Sequence, residues 1–311
     1  MSVSGLVPVA DVQLKSILVA TDFSPASEKA VRHAVALARY YGSKLYLMHV
    51  VSALGFNMVG PEAVAGAMDL AWDDARAMER KLMASGSLAG LRHHVVVRDG
   101  DDVWRELEKV IQQEQIDMVV IGTHSRGGLA KLVLGSVAEQ IFRHASCPVL
   151  TVGPHSPAEA QAVPSGITRP LLFPTDFGER SLRALPYALS FANLRGTRIA
   201  LLHVLSSVPQ TKDNRWYTAH DVIEIRSDAH ATALYRLRTL IPESCLRVEP
   251  ICVAEFGEPA EWILETAKKL HAEGIVMGLK HTAHVDAISH LPWLTTYKVV
   301  CSAVCPVLTI R

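Results

Sequence analysis

Between Gly122 and Ser136 the chain gathers residue types that hold an anion. Gly122, Gly127 and Gly128 permit positive φ and close backbone approach, Arg126 and Lys131 add charge, and Gly135-Ser136 stands where the pattern turns helical. The run Met118 to Ile121 ahead of it is apolar and mostly β-branched, so it reads as a buried strand. A strand that empties through a glycine-containing loop into a helix start brings several backbone N–H groups into a small volume. Those groups have no intrahelical acceptor, and a phosphate suits them. The same residues also suit an ordinary strand–loop–helix connection, and Ser136 with Glu139 reads equally as a Ser-x-x-Glu capping box.

The elements that must position this loop follow from periodicity. Lys15 to Ala20 reads as a strand, closed by Thr21-Asp22-Phe23-Ser24-Pro25, in which Ser24 suits an N-cap and Pro25 the first helical position. Ala30, Val31, Ala34, Val35, Leu37 and Ala38 make one helical face, stopped by Gly42. Lys44 to Val51 is the next strand, followed by a helix from Pro61 to Met83 and a strand over Val95 to Val97. A helix opens at Gly100-Asp101-Asp102 and runs through Gln113. After the loop come a helix from Ser136 to His144 and a closing strand, Cys147 to Val152. Strands and helices alternate throughout, which calls for a parallel sheet with helices on both faces.

The pattern then restarts. Thr175-Asp176-Phe177 repeats Thr21-Asp22-Phe23 at an offset of 154, and Leu201-Leu202-His203-Val204 repeats Leu47-Met48-His49-Val50 at the same offset. Cys305-Pro306-Val307-Leu308 repeats Cys147-Pro148-Val149-Leu150 at 158. An offset that drifts by four residues across a whole domain marks a tandem duplication, with too few copies and too long a period for a solenoid.

Composition narrows the class. At 311 residues and 49% hydrophobic, the chain can build two cores. Its formal net charge of zero argues against a general nucleic-acid or anionic-membrane binder, and no apolar run reaches membrane-span length. The start of the chain lacks the charged and apolar regions of a secretory signal and reads, over residues 1–14, as a disordered lead-in. Five cysteines, placed late and odd in number, do not form a disulfide framework, so the cytoplasm is the default compartment.

With these residues in view, the chain resembles the universal stress protein family in its tandem two-domain form, from about Lys15 to Arg311. Thr21-Asp22-Phe23-Ser24, Leu47-Met48-His49-Val50 and the loop from Gly122 to Val137 carry the resemblance. In nucleotide-binding members that loop reads Gly-x2-Gly-x9-Gly-Ser/Thr. Gly122, Gly135 and Ser136 match it, and Ser125 stands at the second glycine position, where it offers its N–H but adds a Cβ.

The resemblance implies an α/β fold of two tandem open parallel five-stranded sheets with helices on both faces, strand order 3-2-1-4-5, of the adenine nucleotide alpha-hydrolase-like kind. It implies a first domain over 15–153, a linker over 154–168 and a second domain over 169–311. Ligands would enter the crevice where the strand order reverses. Asp22 would lie by the ribose or adenine, and Val50 and Ile121 by the adenine, with Ala20 and Thr21 also in the cofactor-binding set. Gly122, Ser125, Gly135 and Ser136 would face the phosphates, with His124, Arg126 and Val137 completing the set. The implied ligand is ATP, held with a metal ion such as Mg²⁺. The implied role is a cytoplasmic stress-response or signalling module, with no nucleic acid or membrane partner. The resemblance further implies that the two halves pack as an intramolecular pseudo-dimer through Pro148–Val152 and Pro306–Ile310, and it leaves room for a homodimer.

The second half departs from the motif. Gly278 matches the first glycine, but the closing-strand offset puts Trp293-Leu294 where Gly135-Ser136 stands, so a second ATP site is expected to be weak or lost. Plainer readings stand beside these. Asp22 and Asp176 could simply cap helices, and His49 and His203, at equivalent strand ends, read best as satisfied crevice histidines. His281, His284 and His290 lack a metal-binding spacing. No nucleophile–base pair, zinc motif or Gly-x4-Gly-Lys-Ser/Thr loop appears, so no catalytic residue is assigned and slow ATP hydrolysis is the most the chain would do. A scaffold of the same fold, acting through partner binding without a nucleotide, is the alternative.

Overall fold

The apolar runs of the first half become parallel strands covered on both faces, which is why they show little alternation. In the computed structural model, which describes residues 12–23, 25–52, 61–123, 134–157, 169–206, 218–279 and 290–311, residues 13–161 and 162–311 belong to two compact units. In the first unit β1 (Ser16–Ala20) lies between β2 (Lys44–Ser52) and β4 (Met118–Gly122). Ile17 sits opposite Leu45 on one side and Met118 on the other. β3 (His93–Gly100) pairs outside β2, and β5 (Val149–Val152) outside β4, all parallel. The order is β3-β2-β1-β4-β5, as expected.

Right-handed crossovers then put α1 (Pro25–Tyr41) and α2 (Pro61–Ala84) on one face. They put α3 (Val103–Gln113) and α4 (Ser136–His144) on the other. α1 buries Ala30, Val31, Ala34, Leu37 and Ala38 and ends at Gly42 in the left-handed region, where the Ser43 N–H returns to the Ala38 carbonyl. α3 buries Trp104, Leu107, Val110 and Ile111, and its first N–H groups are capped by Asp102, which accepts from Trp104 N at 3.0 Å.

The second unit repeats the plan. β6 (Leu171–Pro174) pairs with β7 (Ile199–Leu205) and β9 (Gly274–Gly278), flanked by β8 (Ile251–Phe256) and β10 (Val307–Ile310). The order β8-β7-β6-β9-β10 matches the first unit strand for strand. The helix after the first strand is divided here into α5 (Glu179–Arg183) and α6 (Leu185–Arg195), with Pro186 near the start of the second piece. α7 (Ala219–Arg238), α8 (Pro259–Lys269) and α9 (His290–Ser302) complete the unit. Among the described residues no helix is long and apolar enough to cross a membrane.

Candidate functional site

The strand order reverses at β1, and the C-terminal ends of β1, β2 and β4 open there into a cavity of about 160 Å³. Nine of the sequence-predicted residues line it. Ala20, Thr21 and Asp22 come from the end of β1, Val50 from β2, Ile121 and Gly122 from β4, and Gly135, Ser136 and Val137 from the start of α4. His124, Ser125 and Arg126 lie outside the described residues, as do Gly127, Gly128 and Lys131.

A compact polar turn holds the β1 side. Phe23 takes φ of 58°, a left-handed conformation that costs a non-glycine residue about 1 kcal/mol or more. Its N–H donates to Thr21 Oγ1 at 3.0 Å, and Thr21 Oγ1 shares a hydrogen bond of 2.9 Å with Ser27 Oγ. His49 donates from Nδ1 to the Thr21 carbonyl at 2.7 Å, since a carbonyl can only accept, and its ring lies 4.8 Å from that of Phe23. The second unit rebuilds the same turn. Phe177 has φ of 59°, its N–H meets Thr175 Oγ1 at 2.9 Å, and His203 Nδ1 meets the Thr175 carbonyl at 2.7 Å. A turn kept in both copies is a structural device, so the plain reading of His49 and His203 stands.

The α4 side is built differently from the capping-box expectation. Gly135, not Ser136, is the N-cap, and no side chain caps the helix; Glu139 pairs with Arg143 at 2.7 Å instead. The reason is docking: the Gly135 N–H donates to the Thr123 carbonyl at 3.0 Å, and Thr123 in turn donates its N–H to Val152 at 3.1 Å. Residue 135 is thereby fixed in extended backbone at the end of β4, with φ −58° and ψ 149°. The N–H groups of Ser136 and Val137, which have no intrahelical acceptor, border the cavity. Nothing among the described residues explains why residue 135 is glycine. Its φ suits any residue, and among the described residues a Cβ built there would meet only the Thr123 carbonyl oxygen, at an ordinary 3.7 Å.

Sequence reasoning missed part of the wall. Val103 and Leu107 of α3 and Ala138 and Ile141 of α4 also line the cavity, as do Ser27, Met48, His49 and Thr123. The signal available for Val103 and Leu107 was the apolar face of α3, which looks the same whether it packs on a core or on a cavity.

In the second unit the matching stretch differs in its backbone. α4 and α9 end at equivalent residues, His144 and Ser302, but α9 begins at His290, so the position matching Gly135 is the fourth residue of the helix. The N–H groups of Leu294 and Thr295, which match the open ones of Ser136 and Val137, lie beyond the first turn and have intrahelical carbonyls within reach. The side chains of Trp293 and Leu294 lie outside what the structure describes. Gly278 has a local reason to be glycine, since a Cβ there would lie 2.2 Å from the Arg180 carbonyl oxygen. Its match to the motif therefore says nothing about a ligand. Asp176 behaves as a turn cap, accepting from Gly178 N at 2.9 Å and from Ser181 Oγ at 2.7 Å.

The strand order and the crevice at its reversal define a class: a doubly wound parallel α/β protein, present in two copies. The model of the universal stress protein family matches residues 13–153 and again 168–311. The chain belongs to the universal stress protein family, in its tandem form. A universal stress protein of Mycolicibacterium smegmatis is 28% identical over 272 residues, covering 84% of this chain and 86% of its own. One from Methanocaldococcus jannaschii is 29% identical over 139 residues, which is 44% of this chain and 81% of that protein. The crystal structure of a universal stress protein from Archaeoglobus fulgidus superposes with a TM-score of 0.63 at 18% identity, covering 96% of this chain and 99% of its own, which bears on the fold alone.

Proposed function

We propose that the first unit binds ATP in the crevice between the ends of β1 and β4, with the phosphates against the start of α4, and that the protein acts as a cytoplasmic nucleotide-responsive stress or signalling module. One observation carries this reading: residue 135 is a glycine that neither its backbone conformation nor packing among the described residues requires, beside Ser136 and Val137, which line a cavity and whose N–H groups have no intrahelical acceptor. A phosphate approaching the backbone supplies the missing reason, because a Cβ would occupy its space. Asp22 would face the ribose, and the ends of β2 and β4 at Val50 and Ile121 would face the base. A Mg²⁺ ion would be held together with the phosphates. The early start of α9 supports a single site per chain.

The test is to denature the purified protein and read released nucleotide by absorbance and chromatography, then to titrate nucleotide-free protein with ATP. Released adenine nucleotide, or saturable ATP binding, supports the reading. An empty protein that also takes up no ATP would favour the scaffold reading.

A further inference from the structure

The first unit closes the space beneath α2 with apolar side chains. Ala71 and Ala75 are buried there with Val51 and Val97, and Phe23 and Trp72 pack against them. Further along α2, the Lys81 ammonium meets the Glu28 carboxylate of α1 at 2.9 Å, so its charge is paired. The second unit keeps the helix and changes what it carries. Ala233 and Leu237 of α7 are buried and match Met78 and Leu82 of α2 at an offset of 155. At that offset Arg226 and His230 stand for Ala71 and Ala75, and Arg236 stands for Lys81. Leu182 stands for Glu28 at the offset of 154 that also matches Ser181 to Ser27, each bonded to the threonine of its turn. The second unit has therefore lost the carboxylate and kept the charge.

Arg236 lies over the Phe177 ring instead, 3.9 Å from its centroid, and Arg226 lies over Phe256 at 4.2 Å. A histidine braces each ring, His203 at 4.6 Å from Phe177 and His230 at 6.4 Å from Phe256. Each histidine donates in turn to a backbone carbonyl, that of Thr175 or Ala254. Both arginines are exposed. Of the acidic groups on α7, Asp221 caps the helix with Thr218 and Glu224 faces His220 at 3.8 Å. Asp228 of α7 and Glu255 of β8 also lie outside ion-pair distance of the two arginines, and among the described residues neither arginine has an ion pair. Phe177 stands just beyond β6 and Phe256 at the end of β8, with β7 between them, so the rings are two strand spacings or roughly 10 Å apart.

We infer that this end of the second unit is a docking surface for an acidic, extended peptide segment of a partner protein, which places one carboxylate on Arg226 and another on Arg236. An extended segment covers roughly 10 Å in about three residues. A guanidinium resting on an aromatic ring is already ordered, and it can take a carboxylate in bidentate fashion. The rings are covered by arginine and braced by histidine, so the surface offers charge rather than a platform on which nucleic-acid bases stack. The inference stands whether or not the first unit holds a nucleotide.

The test is fluorescence polarisation of labelled decaglutamate with the whole chain and its variants at low salt, with a thermal melt as fold control. Wild type should bind saturably and lose affinity as salt rises. Arg226→Gln combined with Arg236→Gln should weaken binding roughly tenfold or more. Leu182→Glu, which restores the carboxylate that Glu28 supplies in the first unit and leaves both arginines in place, should also weaken it. Lys81→Gln removes a charge that is already paired and should leave affinity unchanged. If the arginine variant does not fold, Leu182→Glu carries the test. No saturable binding by wild type, or an equal loss on Lys81→Gln, overturns the inference. Single-stranded oligothymidylate of the same length that binds more tightly than decaglutamate, and through the same arginines, also overturns it and assigns the surface to nucleic acid.

Discussion

Gly135 is tied to Thr123 twice over: its N–H donates to the Thr123 carbonyl at 3.0 Å, and among the described residues that same oxygen is the one atom within 4 Å of the place where its β-carbon would be, at 3.7 Å. The hydrogen bond fixes where α4 begins. No other described atom fills the space beside it, which is where the proposed phosphate would lie.

Replacing Gly135 should accordingly separate binding from folding. Gly135→Ala adds one methyl group in open space and should melt within about 0.5 kcal/mol of wild type. Gly135→Trp should also fold, yet lose ATP by a few orders of magnitude, since contacts between N–H groups and a charged phosphate are worth up to about 3 kcal/mol each. Affinity measured alongside a thermal melt checks both halves. Unchanged ATP affinity in a folded Gly135→Trp variant would move the phosphates elsewhere.

Gly278 should behave in the opposite way. A Cβ 2.2 Å from the Arg180 carbonyl oxygen and 2.8 Å from Ser181 Cα forces α5 away from the end of β9. Gly278→Ala should destabilise the second unit by about 1–3 kcal/mol or more, seen in denaturant unfolding, and leave ATP affinity alone. A wild-type unfolding curve would contradict the contact.

Much of this was legible in the sequence, and the limits were physical. The duplication showed in Thr21-Asp22-Phe23 and Thr175-Asp176-Phe177, and the structure repeats that turn down to the φ of Phe23 and Phe177. The strands could be read because burial on both faces leaves apolar runs such as Met118 to Ile121. The cap at Gly135 was not legible, because Ser136 and Glu139 satisfy the capping-box pattern and only the docking on Thr123 displaces it. Nor was the α3 wall, because Val103 and Leu107 have the spacing of any core-facing helix. The early start of α9 was not legible either, because Trp293-Leu294 in place of Gly135-Ser136 does not say where a helix begins.

Asp176 gives a pH signature in the second unit. Burial favours its neutral form, but the hydrogen bonds from Ser181 Oγ and the Gly178 N–H outweigh burial and hold its carboxyl below the usual range. A carboxylate with a lowered folded-state pKa stabilises above its unfolded value, about 3.9, and loses that contribution as pH falls through the folded value. Asp176→Asn should therefore be less stable than wild type at neutral pH, with the gap closing below about pH 4. A gap that stays constant down to pH 3 would show that the carboxylate's charge has no part in the turn.

Cys305 is 2% exposed, and burial pushes its thiol up to about 12. In native protein at pH 8 it should stay unlabelled by a thiol reagent, whereas all five cysteines react once the chain is denatured. Peptide mapping of labelled native protein reads this directly. Rapid native labelling at Cys305 would mean that the second unit opens far more often than its buried core implies.

The central claim is one ATP per chain, held at the start of α4, and calorimetric titration of nucleotide-free wild-type protein with ATP and Mg²⁺ tests it most directly. The expected stoichiometry is near one, and Gly135→Trp should abolish binding. A stoichiometry near two would show that the early start of α9 leaves a second crevice usable, and no binding heat from nucleotide-free protein at any temperature tried would contradict the claim outright.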